Sequence, residues 1–348
     1  MRALSIALAL TLALPSLPHA VAQSTPSPAL LVLSKTDHTL AIVDPATLQV
    51  IAKAPVGDDP HEVIASSDGR TAYISNYGFG AFHTLAVVDL MQQRALPYID
   101  LGPLRGPHGL AFVDGELWFT AEAAKAIGRY DPSTVKVNWI MGTGQNRTHM
   151  LHVFPGGQRI ITTNVNSATV TILDKTEGPA GVPPTLPSGI HRLPGPPGGD
   201  WNETVIPVGR GSEGFDISPD GKEAWVANAW DGTLSVIDLS AKKVVATLDA
   251  QVPSANRIKF TPDGKLVFVS LLNAPDVVIL DTATRKVIER LPIGHGSSGI
   301  LMQPDGKRAY VSCGPDDFVA VIDLKTLKVV GRIRPGGNPD GLAWAVRP

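Results

Sequence analysis

Residues 213–238 read EGFDISPDGKEAWVANAWDGTLSVID, and units of this kind recur along the chain. The turn at 218–221, Ser-Pro-Asp-Gly, returns as Thr-Pro-Asp-Gly at 261–264 and as Gln-Pro-Asp-Gly at 303–306. Looser forms stand at 66–69, 113–115 and 154–157. Proline, aspartate and glycine in this order favour a tight turn between two strands. A β-rich run, a polar loop and a second run ending in aspartate follow the turn, which predicts a series of antiparallel strands.

One position in each unit defines the repeat, namely the residue that opens the innermost strand. In chain order this ring position is His61, His108, His149, Glu213, Asn256, Ser298 and Asp340. Successive ring positions are 41 to 47 residues apart, except that 64 residues separate His149 from Glu213. Four short strands in a unit of about 42 residues are typical of propeller blades. We therefore predict an all-β, seven-bladed β-propeller with four-stranded blades, numbered one to seven from His61 to Asp340.

The two ends of the chain are predicted to complete blade seven together. Residues 340–344 have the pattern of an innermost strand without successors, whereas residues 30–57 have the other three strands but no innermost one. Pairing of the N-terminal strands with the C-terminal strand would close the circle and leave no open sheet edge. We expect residues 23–348 to form a single propeller domain, with a proline- and glycine-rich insertion at 178–200 in blade three.

The chain resembles the YVTN-type seven-bladed β-propeller repeat family in segments such as EAWVAN at 223–228 and TLSVID at 233–238. This resemblance covers nearly the whole chain after residue 22. Blade two, with GPHGLAF at 106–112 and LWFT at 117–120, also resembles a repeat of the streptogramin lyases, whose members use a divalent metal. The resemblances imply the fold, but the propeller fold hosts lactonases, lyases, electron-transfer partners and adaptors alike.

The N-terminus has the pattern of a secretory signal peptide at residues 1–22. One charged residue, Arg2, precedes an apolar stretch from Ala3 to Leu14, and the small residues Ala20, Val21 and Ala22 follow. The apolar stretch is shorter than the run of about 20 residues that spans a bilayer. We therefore expect a periplasmic or secreted protein without membrane insertion.

The composition argues against several partners and cofactors. A formal net charge of -2 gives no basic field that would attract nucleic acid. Cys313 is the only cysteine, so no intramolecular disulfide is expected. The sequence has neither a CxxCH haem attachment motif nor a glycine-rich phosphate loop. We expect a monomer without haem or nucleotide, whose partner is a small polar ligand or a periplasmic protein.

Three consecutive ring positions carry histidine, which predicts a site on one side of the ring. Neutral imidazoles of His61, His108 and His149, converging from adjacent blades, could bind zinc or copper and leave one coordination position open. Glu213, the next ring residue, or Glu122, in a loop of blade two, would then be a fourth ligand or a general base. The competing interpretation is that each histidine only forms hydrogen bonds across a water-filled channel.

The other candidate residues are substrate contacts on the upper face, which we define as the face that carries the ring positions. They are Asn256, Ser298 and Asp340 on the far side of the ring, and Tyr77 and Trp230 in upper loops. Arg257, next to the ring, could pair with an anionic group in the channel, but a salt bridge with a neighbouring blade is the expected contact.

These patterns give two hypotheses for function. The first is a metal-dependent hydrolase or lyase that acts on a small polar substrate such as a lactone. The alternative is a non-catalytic periplasmic propeller that binds a protein or a ligand, because no known catalytic motif stands in the sequence and the fold is versatile.

Overall fold

Tight turns and alternating apolar residues produce antiparallel strands throughout the chain, as the repeats predict. The computed structural model describes residues 24–176 and 200–348, and these form 28 strands in seven four-stranded sheets. Each sheet is one blade, so the prediction of an all-β, seven-bladed propeller is confirmed. The predicted signal peptide at 1–22 lies outside the described residues, as does the insertion at 178–200 apart from Asp200.

Blade seven combines the first three strands of the chain with the last. They are β1 (Ala29–Ser34), β2 (Thr39–Asp44), β3 (Gln49–Pro55) and β28 (Pro339–Ala345). Every other blade takes four consecutive strands. Blades one to three contain β4 (Pro60–Ala65), β5 (Thr71–Asn76), β6 (Thr84–Asp89), β7 (Arg94–Asp100), β8 (Pro107–Val113), β9 (Glu116–Ala121), β10 (Ala126–Asp131), β11 (Lys136–Gly142), β12 (Thr148–Val153), β13 (Arg159–Asn164), β14 (Thr169–Thr176) and β15 (Asp200–Pro207).

Blades four to six complete the ring. Their strands are β16 (Ser212–Ile217), β17 (Glu223–Asn228), β18 (Thr233–Asp238), β19 (Lys243–Leu248), β20 (Ala255–Phe260), β21 (Leu266–Leu271), β22 (Asp276–Asp281), β23 (Lys286–Pro292), β24 (Ser297–Met302), β25 (Arg308–Cys313), β26 (Phe318–Asp323) and β27 (Lys328–Ile333). Short 3-10 helices cover Gly78–Gly80, Pro155–Gly157, Val165–Ser167 and Gly314–Asp316. Within residues 24–176 and 200–348, no helix has the length and apolar character needed to cross a membrane.

The predicted closure of blade seven is confirmed by the pairing of β28 with β1. The two strands run antiparallel, with Leu30 opposite Trp344 and Val32 opposite Leu342. The first strand of the chain is fully buried as a result. Closure therefore joins the two ends of the polypeptide through backbone hydrogen bonds and removes an open sheet edge.

A β-bulge at the start of each innermost strand positions the ring residues. In blade one, for example, His61 and Glu62 together oppose Ser75. A bulge re-aims the side chains of its strand, here toward the central channel. Hydroxyl groups hold this geometry, since Ser75 Oγ accepts the N–H of Glu62 at 3.1 Å. Thr120 Oγ1 donates to the carbonyl oxygen of His149 at 2.6 Å, so blade two fixes the backbone of the next ring position.

The core lies between adjacent blades, where apolar residues of the two facing sheets interleave. In the cluster between blades four and five, Trp225 and Val236 pack with Ile258 and Val269. The Trp225 ring meets the Phe260 ring edge to face at 5.7 Å. Apolar side chains from the innermost and outer strands of facing sheets therefore hold neighbouring blades together.

Replacing Trp225 by alanine is expected to lower the free energy of unfolding by about 3–5 kcal/mol, because its side chain is 0% exposed and would leave a cavity between two blades. Trp230→Ala is the matched control. Its ring is 58% exposed, so the expected change is about 0.5 kcal/mol or less. Denaturant unfolding of both variants checks this, and similar losses would contradict the packing described above.

Candidate metal and substrate site

All seven ring positions line one pocket at the upper mouth of the central channel, which we call the upper pocket. Its volume is about 320 Å³. Each ring residue is the second residue of its innermost strand, so equivalent backbone positions place seven side chains around one axis. Three cationic side chains, those of Lys35, Arg147 and Arg257, join them in the lining.

Two of the predicted histidines lie together with a predicted carboxylate. One ligand atom from each of His108, Glu122 and His149 lies within 4.8 Å of the other two, and all three residues are buried. Ligand atoms on one zinc ion at about 2.0–2.2 Å are at most roughly 4.4 Å apart, so small side-chain shifts would bring this group to coordinating distance. Nδ1 of His108 is buried and has no hydrogen-bond partner among the described residues. We call these three residues the His-Glu group.

His149 lies between two carboxylates. Its Nδ1 contacts Glu122 Oε1, and its Nε2 lies 3.0 Å from Glu213 Oε1. Burial opposes a charge on this imidazole, but the charges of Glu213 and Glu122 outweigh burial and raise the pKa of His149 to about 9. At neutral pH and without a metal, His149 is therefore a buried cation.

His108 has the opposite character. Burial lowers the pKa of His108 well below its usual value, and the positive charge of His149 lowers it further. The two rings are tilted by 40°, with centroids 3.9 Å apart. His108 is therefore neutral at neutral pH, and neutral imidazole is the form that binds metal ions.

The carboxylates of the site are ionised and held in place. Burial would raise the pKa of Glu213, but the charge and hydrogen bond of His149, with Arg147, lower it to about 2. Burial would also raise the pKa of Glu122, but the charge and hydrogen bond of His149, with Arg147, lower it. Glu122 Oε2 also accepts hydrogen bonds from the Tyr77 hydroxyl at 2.5 Å and from Arg147 Nε at 3.4 Å. A carboxylate with a pKa near 2 is a weak proton acceptor, so the structure favours a charge-balancing role for Glu213.

The third histidine of the predicted set, His61, lies outside the His-Glu group. Its ring centroid is 5.0 Å from that of His108. His61 Nε2 lies 2.8 Å from Lys35 Nζ and 3.1 Å from Asp59 Oδ1, so it contacts both a cation and a carboxylate. Asp340 Oδ2 lies 3.5 Å from His61 Nδ1 and 3.4 Å from Lys35 Nζ. The ring histidines thus have two different environments.

The two aromatic candidates are not in the lining of the upper pocket. Tyr77 is buried behind the histidines, where its ring meets those of His61 and His108 edge to face. Its hydroxyl holds Glu122, so Tyr77 positions a group rather than facing a ligand. Trp230 is exposed on the upper face, beside the glycine at position 211.

The floor of the upper pocket is an ion pair that crosses the channel. The Arg257 guanidinium in blade five contacts the Glu62 carboxylate in blade one. The expectation that Arg257 pairs with a neighbouring blade was therefore wrong, because blades five and one are not adjacent. The bulges point both side chains into the channel, where a buried charge requires a partner. A second, largely apolar pocket on the other side of this pair contains His152.

Arg147 is a functional candidate that sequence reasoning missed. It precedes β12 and has a positive φ of 59°, as do the equivalent residues of the other six blades, which are Asp59, Gly106, Gly211, Ser254, Gly296 and Asn338. The structure places its guanidinium between the two carboxylates that flank His149, 3.4 Å from Glu122 and 3.8 Å from Glu213. The only sequence signal was its position two residues before a ring histidine.

Comparison with solved structures shows the same fold in other proteins. A functionally unknown protein from Desulfotomaculum acetoxidans superposes with a TM-score of 0.70 at 14% identity, covering 92% of this chain and 100% of that one. A candidate 6-phosphogluconolactonase from Bacteroides fragilis gives 0.67 at 15% identity, covering 91% and 98%. Hydrazine synthase from Kuenenia stuttgartiensis gives 0.62 at 19% identity, covering 82% and 89%.

No protein-family model matches the chain, and no curated protein matches it in sequence. The structural likenesses, all below 20% identity, show a shared propeller fold. Membership of the YVTN-type family stays a prediction from the repeats.

Proposed function

We propose that this protein is a metal-dependent hydrolase or lyase that binds a divalent transition metal at the His-Glu group and acts on a small polar molecule such as a lactone. The observation that carries the proposal is the buried Nδ1 of His108, which has no hydrogen-bond partner in the described chain and belongs to a residue beside His149 and Glu122. Leaving a buried polar atom without a partner is costly, and a metal ion would remove that cost.

The charges of the site support the same assignment. In the metal-free protein, one proton on His149 is stabilised by two carboxylates. A divalent ion would take the place of that proton, because imidazole must be deprotonated to coordinate. Two histidines and one glutamate form a ligand set that catalytic zinc sites use. Zinc therefore suits the donors better than the soft-ligand metals do.

The proposal divides the three ring histidines into two roles. His108 and His149 would hold the metal. His61, whose ring lines the upper pocket outside the His-Glu group, would take a proton from the attacking water and return it to the ring oxygen that leaves when the lactone opens. Lys35 and Asp340 hold the His61 ring in place. A metal in this site would supply Lewis-acid polarisation of a substrate carbonyl. Arg147, between Glu122 and Glu213, would then hold both carboxylates in place beside the ion.

The lactone is the substrate class to screen first. The structural neighbour from Bacteroides fragilis is named a candidate 6-phosphogluconolactonase. At this identity that name only suggests which compounds to test. Because residues 1–22 have the pattern of a signal peptide, we propose that the activity lies outside the cytoplasm.

The test begins with the mature chain purified without a histidine tag and treated with a chelator. Titration with zinc and elemental analysis should give about one tightly bound ion per chain. A panel of lactones should then be hydrolysed by the zinc-loaded protein and not by the chelated protein. No tight binding of zinc or copper would overturn the proposal.

The alternative, a non-catalytic propeller that binds a partner protein, is favoured by exposed apolar side chains on the upper face. Phe79 is 90% exposed and Trp230 is 58% exposed, which is unusual for large aromatic residues. Failure to bind metal would direct attention to these side chains, because they surround a pocket mouth without lining it.

A further inference from the structure

The wall of the upper pocket opposite the His-Glu group carries polar groups that the protein itself does not satisfy. Ser298, in blade six, is 8% exposed, and its buried Oγ has no hydrogen-bond partner within the described residues. The carboxamide of Asn256, in blade five, faces the same pocket and makes no hydrogen bond to any described residue. Buried hydroxyls and amides normally have partners, so this wall is built to receive hydrogen bonds from a ligand.

The cations of the upper pocket, in contrast, are already neutralised. Lys35 Nζ lies 3.6 Å from an oxygen of Asp59 and 3.4 Å from one of Asp340. Arg147 is held between two glutamates, and the Arg257 guanidinium contacts the Glu62 carboxylate. A phosphate or carboxylate would have to compete with these internal carboxylates for each cation. Within the described residues, the lining therefore offers an anion no unpaired positive charge.

The geometry of the ring relates this wall to the His-Glu group. Asn256 and Ser298 belong to blades five and six, which lie across the channel from blades two and three. A ligand that bridges the pocket would contact the two polar side chains at one end and approach His108 at the other. The volume of about 320 Å³ is at the lower end for ligand pockets, which suits a single small ring.

From these observations we propose that the ligand of the upper pocket is an uncharged, polyhydroxylated ring of monosaccharide size, such as an unphosphorylated sugar lactone. Asn256 and Ser298 bind its hydroxyl groups and determine specificity. The identity of the reacting group rests on the proposed function, but recognition by this wall does not require the metal.

The experiment uses matched pairs of probes and metal-free full-length mature protein. A panel of uncharged monosaccharides is compared with the corresponding 6-phosphates and uronic acids by calorimetry or ligand-observed NMR. We expect at least one uncharged sugar to bind, and to bind more tightly than its charged counterparts. Binding of none of the uncharged sugars, or tighter binding of a charged counterpart, would overturn the proposal.

Two variants test the assigned residues. Ser298→Ala should lower the affinity for the bound sugar by roughly fivefold, which corresponds to the loss of one hydrogen bond of typical strength. Asn256→Ala should lower this affinity by a similar factor or more, because the carboxamide can both donate and accept a hydrogen bond. Ser240→Ala is the matched control, since its hydroxyl is exposed and far from the upper face. Unchanged affinity in both test variants would refute the role of this wall.

This test and the metal test fail independently. If zinc does not bind but sugars bind through Ser298, the proposed catalysis is contradicted and the sugar subsite is supported. If zinc binds and the phosphorylated sugars bind more tightly than the uncharged ones, the metal site is supported and the inference about the substrate is contradicted.

Discussion

Replacing His108 by alanine is expected to reduce zinc affinity by more than about 100-fold while the propeller stays folded. Changes to residues that only support metal ligands cost about 10- to 100-fold in affinity, so loss of a ligand should cost more. The fold should tolerate the change, because His108 contributes an unpartnered nitrogen and not a structural hydrogen bond. Zinc titration of the chelated variant, with circular dichroism to confirm the fold, measures both expectations.

Two further histidine variants test whether the loss of zinc affinity is specific to His108. His61→Ala should retain about one zinc ion per chain and lose lactone turnover, because His61 is held by Lys35 outside the His-Glu group. His295→Ala should change neither property, since that ring is exposed at the protein surface. Equal loss of zinc from the His61 and His108 variants would instead restore the three-histidine ligand set predicted from the sequence. Full zinc binding by His108→Ala would contradict the site altogether.

Deleting residues 339–348 is expected to abolish cooperative folding of the whole ring. The deletion removes β28, the partner of β1, and exposes an apolar edge whose residues are fully buried in the intact protein. It also removes Trp344, whose ring packs on Tyr310 and whose Nε1 donates to the carbonyl oxygen of Met302 at 2.8 Å. An unpaired hydrophobic edge strand promotes aggregation, so the truncated chain should be recovered mainly as aggregates.

The matched control deletes only residues 346–348, which follow β28. The control should remain folded and elute like the full chain in size-exclusion chromatography, with an unfolding midpoint close to that of the full chain. Trp344→Ala provides an intermediate case, with an expected loss of about 3 kcal/mol if the chain stays soluble. A truncated protein that unfolds at the midpoint of the full chain would show that closure through β28 contributes little.

The fold was predictable because the same weak pattern occurs in several repeats, and agreement among repeats is stronger evidence than any single one. A single Pro-Asp-Gly turn predicts little, but the same turn and strand pattern at a spacing of about 42 residues restricts the architecture to a propeller. Closure was predictable because the C-terminal segment has only an innermost strand and the N-terminal segment has the other three strands of a blade. The ring positions followed from the same alignment, and the structure places all seven around one pocket.

The site was less predictable, because its contacts depend on loops and on distances across the channel. Glu122 was found because it follows a second strand and so lies on the upper face. Arg147 was not found, because its position in the repeat has a positive φ in every blade and glycine, aspartate, serine or asparagine occupies it in the other six, so the alignment suggested a turn and not a cationic side chain at the site. The predicted partner of Arg257 was wrong, because an alignment of repeats gives the direction of a side chain. It does not show which side chain lies opposite across an open channel.

The pairing of β1 with β28 also determines the order in which the ring can close. Blades one to six are contiguous in sequence, so each can form from neighbouring strands. Blade seven cannot, because β4 to β27 lie between β1 and β28 in the sequence. Contacts between strands so distant in sequence form slowly, because the entropy cost of closing the loop comes first. The edge of β1 is therefore exposed until β28 docks, and ring closure is the folding step at which aggregation is most expected.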